Sequence, residues 1–196
     1  MSTLIAPTVV RAYRGRREQR AERRRLTRHD ALSARLAELH SIRTVLVRAA
    51  EIVGEGWVQG AWFAVSTPSG VRAVTGYDLR LLRNRPLTGA CLVGAVVQAG
   101  GGPGAVRSQR VQRTLDLTWH TLREDPRQPV TWCPSPPVRT MQVLDLTHWN
   151  DAPRRTQEEV VDLLTASERT VAVERQRCLD ERAALGTCPS GVTAAP

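Results

Sequence analysis

Residues 27–56 read TRHDALSARLAELHSIRTVLVRAAEIVGEG. Within them Leu32, Leu36, Leu39, Ile42, Leu46, Ala49 and Val53 recur in steps of three and four, the spacing that lines one face of an α-helix. Thr27, with Asp30 three residues on, is a weak form of the capping box, and Gly54 and Gly56 stop the pattern. This long amphipathic helix makes the fold class mainly α.

Working outward, a full capping box, Thr156-Gln157-Glu158-Glu159, opens a second long helix carrying Val160, Leu164, Val171, Cys178 and Leu185, which Gly186 closes. The helix over 30–53 is expected to pack on it. Between them, Trp62 to Val65 and Val71 to Val74 flank Ser66-Thr67-Pro68-Ser69-Gly70, a short hairpin with a five-residue loop. Residues 77–86 are a basic loop. The run Ala90 to Val97 suits a buried helix or a buried strand, and its small residues, with Thr88 as a cap, favour the helix. Gly100 to Gly104 is a loop, Val106 to Leu122 a helix, Pro126 to Pro137 a proline-rich connection, and Met141 to His148 reads either way. The whole is a compact helical domain over 30–185 with a small hairpin, an arginine-rich arm over 1–29 that is either disordered or an extended helix, and a flexible tail over 186–196.

A chain of 196 residues with 41% hydrophobic content suffices for one folded core without cross-links. Cys91, Cys133, Cys178 and Cys188 are irregularly spaced and suit a reducing, cytoplasmic setting. Neither they nor His29, His40, His120 and His148 show metal-ligand spacing, so no metal or cofactor is expected. Met1 to Val10 lacks the marks of a signal peptide, and the longest apolar run falls short of the roughly 20 residues that cross a bilayer, so no membrane association is expected.

All 28 basic residues are arginines. Arginine is the basic residue of GC-rich codons, which points to a high-GC genome, and the lack of lysine excludes a Walker A loop, a Schiff-base enzyme and a protein kinase. Residues 11–28 hold nine arginines against Glu18 and Glu22, a net of +7 within the chain's +9. They fall on every face of a helical wheel, with no apolar stripe for docking on a core or a membrane. Arg14, Arg16, Arg17, Arg20, Arg23, Arg24, Arg25 and Arg28 are therefore candidate contacts to DNA or RNA, neutralising phosphates without reading sequence. The plainer alternatives are a solvated charged extension or a start codon placed too far upstream.

Three segments carry a resemblance: Arg48-Ala49-Ala50-Glu51-Ile52-Val53-Gly54-Glu55-Gly56-Trp57-Val58-Gln59-Gly60, then Cys91-Leu92-Val93-Gly94-Ala95, then Trp149-Asn150-Asp151-Ala152-Pro153-Arg154-Arg155-Thr156. Together they resemble a family of small uncharacterised proteins from actinobacteria and their phages, the domain of unknown function numbered 6197, over roughly residues 43–170. Its motif positions here are Trp57, Gln59, Gly60, Trp149, Asn150, Asp151, Pro153 and Thr156. The resemblance implies a compact helical domain and names no activity. The arm, the loop at 66–86, the proline-rich insert and the C-terminal extension depart from it.

Two chemical readings compete for these residues. A Cys91 in the first turn of a helix would have its thiolate favoured by the unpaired amides and the helix dipole. With His148 and Asp151 downstream it would match the order of a cysteine hydrolase. A small buried thiol is the alternative. Asn150, Asp151 and Pro153 suit a turn before the Thr156 cap, and Trp57 with Trp62 suits a core or a stacking platform. With no complete catalytic motif in the chain, the favoured reading is a non-enzymatic accessory protein with a protein partner or a second copy of itself. Nucleic-acid binding through the arm and hydrolysis at Cys91 are the alternatives.

Overall fold

The structure, a computed structural model, describes residues 7–186 except 83–84 and 126–127; within helices it leaves out the side chains of 7–16, 18, 80 and 81. The fold is mainly α: α1 (Pro7–Glu55), α2 (Leu92–Ala99), α3 (Gln109–Arg123), α4 (Pro136–Asn150) and α5 (Gln157–Gly186). A three-stranded antiparallel sheet of β1 (Phe63–Thr67), β2 (Gly70–Val74) and β3 (Leu87–Ala90) lies in the order β2-β1-β3. Two compact units are formed, one from 38–175 and one from the two ends of the chain, within 1–37 and 176–196.

In the 38–175 unit the stripe expected of the first helix is realised. Leu39, Ile42, Leu46, Ala49 and Val53 are fully buried, as are Phe63 and Val65 of β1, Leu117 of α3, Leu146 of α4 and Val160, Leu164 and Val171 of α5. Arg43 of α1 donates to Glu168 of α5, and Gln157 Nε2 donates to the carbonyls of Val53 and Gly54 at 2.6 and 3.0 Å, joining the two long helices as expected. Helix α2 is buried from Leu92 through Val97, so its unbroken apolar run is a helix covered all round rather than an amphipathic one. Gly94 makes this possible, because a Cβ there would strike the Trp62 carbonyl.

Four local expectations are corrected. Thr88 lies in β3, and Cys91 caps α2 instead. Thr27 sits inside α1, its hydroxyl bonded to the Arg23 carbonyl, because helix continues upstream through the arginines to Pro7. The hairpin turn is Pro68-Ser69, with Thr67 paired to Gly70, rather than five residues. The proline-rich connection ends in a helix: Pro136 and Pro137 occupy the first turn of α4, where the missing amides cost nothing.

The 1–37 and 176–196 unit, within its described residues, pairs the early part of α1 with the end of α5. Leu32 and Cys178 are buried, and Arg28 is hydrogen-bonded to Glu181. The tail from 187 on, with Cys188, lies outside the described residues.

Candidate functional site

Trp57 and Asp151 of the motif meet at the side chain of Asn150. Asn150 ends α4 and is completely buried. Its Oδ1 accepts from Trp57 Nε1 at 3.0 Å and from the amide of Leu92, at the start of α2, at 3.1 Å. Its Nδ2 donates to the Val58 carbonyl at 3.2 Å and to Asp151 Oδ1 at 2.7 Å. All four valences of one amide are therefore used to tie α4 to the segment after α1 and to the head of α2.

The neighbours extend this clasp. Gln59 Nε2 donates to the carbonyls of Asn150 and Ala152 at 3.1 and 2.9 Å. Gly60 adopts φ 69°, a left-handed conformation that favours glycine, and its amide donates to Asp151 Oδ1 at 3.0 Å. The Arg155 guanidinium lies 3.9 Å over the Trp149 ring and donates to the Trp149 carbonyl at 3.1 Å. Pro153 lies exposed in the turn, and Thr156 and Glu159 exchange the two bonds of the capping box at 2.9 and 3.3 Å. Four of the clasp's members, the Leu92 amide, the Val58 and Ala152 carbonyls and Arg155, are not among the motif positions marked in the sequence. Arg155 lies inside the Trp149–Thr156 segment, whereas nothing in the residue types marks a backbone amide.

Cys91 stands beside this network but not in a nucleophile's setting. It is 1% exposed, and its Sγ accepts from the Gly94 amide at 3.3 Å as the α2 cap. Burial pushes its thiol up to about 12, against the lowering effect of the Gly94 and Val93 amides, and the Asp151 charge adds to the rise. Desolvation thus outweighs the helix terminus. His148 is exposed on the last turn of α4. Asp151 spends its carboxylate on Gly60 and Asn150.

Trp57 and Trp62 are both half-buried; Trp57 donates its Nε1 to Asn150, and the Trp62 ring lies against Gly76. A cleft of about 600 Å³ near Gly56 and Gly89 contains Arg48, whose guanidinium is matched by Glu51 and Glu55, which raise its pKa. Between α3 and α4 the buried Asp116 holds Arg139 through two bonds of 2.8 and 2.9 Å, which raise the arginine's pKa. Among the described residues no three or more His, Cys, Asp or Glu side chains come together as metal ligands.

The candidate nucleic-acid residues lie on α1. Every residue from 19 to 31 is exposed, which includes Arg20, Arg23, Arg24, Arg25 and Arg28, and Arg17 is exposed as well. The side chains of Arg14 and Arg16 lie outside the described residues. Glu22 approaches Arg25 at 3.8 Å, and Glu181 pairs with Arg28. No helix among the described residues is long and apolar enough to cross a membrane.

Comparison with curated proteins and with solved structures finds no match in either. Residues 37–170, which hold every residue of the Asn150 clasp, match the model of a family of unknown function, DUF6197, and the chain belongs to that family.

Proposed function

We propose that this protein is a non-enzymatic accessory protein that binds nucleic acid through the arginine-rich part of α1. The observation that carries the reading is the unbroken exposure of residues 19–31, a helical segment bearing five arginines. A helix that served only the core would alternate buried and exposed positions, as α1 does from Leu32 onward. Arginines held in water on a helix neutralise phosphates and release counterions. The burial of Cys91, the exposure of His148 and the use of Asp151 in the clasp support a binding role over hydrolysis. Composition supports a high-GC bacterium or its phage as the source, with work in the cytoplasm.

The outer side of α4 favours a protein partner as well. Val138, Met141 and Leu144 are 41%, 62% and 43% exposed and recur at steps of three, with no charged residue among the helix's exposed positions.

Titrating the full chain into a fluorescently labelled DNA duplex over a series of salt concentrations tests the main reading. The expected result is a log K that falls linearly with log salt, at roughly 0.9 per phosphate neutralised, and changes little with sequence. Absence of binding at low salt would remove nucleic acid from the reading and leave the α4 face.

A further inference from the structure

The form of nucleic acid bound can be narrowed from the helix geometry, an inference that rests on the nucleic-acid reading of α1. At roughly 100° per residue, the helical backbone places Arg17, Arg20, Arg24 and Arg28, spaced by three, four and four, along one side of α1. Arg23 lies beside them, and the five fall within an arc of about 140°. Gln19, Glu22 and Leu26 occupy the opposite side, and Arg25, paired with Glu22, lies beyond Arg28, about 100° or more around the helix from Arg20, Arg23 and Arg24. Among the described side chains Arg17, Arg20, Arg24 and Arg28 thus form a stripe roughly 16 Å long.

We infer that this stripe binds a nucleic-acid double helix along its phosphate backbone, with Arg20, Arg23 and Arg24 toward the phosphates, Arg28 held beside them by Glu181, and Glu22 toward solvent. A helix fixes its charges at regular intervals on one line, which suits a stiff polyanion of regular charge spacing. Single strands are gripped chiefly by stacking on aromatic rings, and residues 17–31 contain no Phe, Tyr or Trp. An anionic membrane surface would take apolar side chains beside the arginines, but Ala21 and Thr27 stand there and Leu26 points from the other side. Backbone contact of this kind positions the protein without specifying sequence. Duplex DNA and duplex RNA present the same phosphate chemistry to it.

The test compares the full chain with two variants, Arg20→Gln/Arg24→Gln on the stripe and Arg25→Gln off it. Glutamine keeps helix propensity, and all three positions are exposed, so the fold is retained; circular dichroism checks this. The probes are a DNA duplex, an RNA duplex, the corresponding DNA single strand and vesicles of phosphatidylcholine with phosphatidylserine. On a duplex the double variant should flatten the slope of log K against log salt by about 1.8, from roughly 0.9 for each phosphate no longer neutralised, while Arg25→Gln leaves it unchanged. Tighter binding to either duplex than to the single strand or the vesicles supports the inference and identifies the source. Equal flattening by Arg25→Gln would overturn the stripe in favour of diffuse charge, while the nucleic-acid reading would survive. Preference for the single strand or for vesicles would overturn the duplex. Loss of all binding in the unsubstituted chain would mean that the underlying reading itself fails.

Discussion

At the residue scale, Cys91 shows how burial decides between two fates for one thiol. A cysteine at a helix N-terminus sits where amides and dipole favour the thiolate, and sequence order alone suggests a nucleophile. The structure makes the same position a cap that accepts from the Gly94 amide, with 1% exposure, and its thiol is pushed up to about 12. The unfolded chain ionises this thiol near its usual 8.5 or so, and the folded chain does not. The stability this contributes is therefore complete below that pH and is lost as pH rises toward 12, by at most about 1.4 kcal/mol per pH unit. Cys91→Ser keeps a capping oxygen but does not ionise there. Denaturation of the two proteins between neutral and alkaline pH should show the wild-type chain losing stability faster; parallel curves, or rapid labelling of Cys91 in the native chain, would return it to the candidate nucleophiles.

At the element scale, the fold depends on one buried amide that three segments share. Asn150→Ala would strand the buried Leu92 amide and the part-buried Trp57 indole and Val58 carbonyl, and a buried polar group left unpaired costs about 1–3 kcal/mol, a part-buried one less. Relaxation offsets part of this, so a loss of about 3 kcal/mol in chemical denaturation is expected, and a loss under about 1 kcal/mol would show that the clasp is dispensable. The same contacts explain why the sequence discloses some elements and not others. The stripe from Leu32 to Val53 and the Thr156–Glu159 capping box are local patterns, and both appear where the spacing places them. Strand β3 is only four residues long and is defined by its pairing with β1, a distant partner that periodicity does not sense. Helix α4 is obscured by prolines that are tolerated in its first turn. Asn150 has the residue type of a turn former, yet its side chain points into the core, and sequence does not reveal which carbonyls and amides will surround it.

For the molecule as a whole, charge and family resemblance divide along the chain. The family match spans 37–170, and its motif residues are spent on the Asn150 clasp, so the shared part holds a fold together. Seven of the nine net positive charges fall upstream, within residues 11–28, and the described side chains of that stretch are exposed. The arginine signal is legible in the sequence, and the helix that carries it continues without a break into the family domain, which the weak cap at Thr27 does not reveal. Hydrogen–deuterium exchange of the full chain with and without duplex DNA tests this division most directly, because helical amides exposed along one segment open locally and binding there suppresses the opening. Binding through α1 predicts slower exchange over residues 7–31 on adding the duplex, with residues 38–175 unchanged. Protection confined to 38–175, with 7–31 exchanging as before, would contradict it.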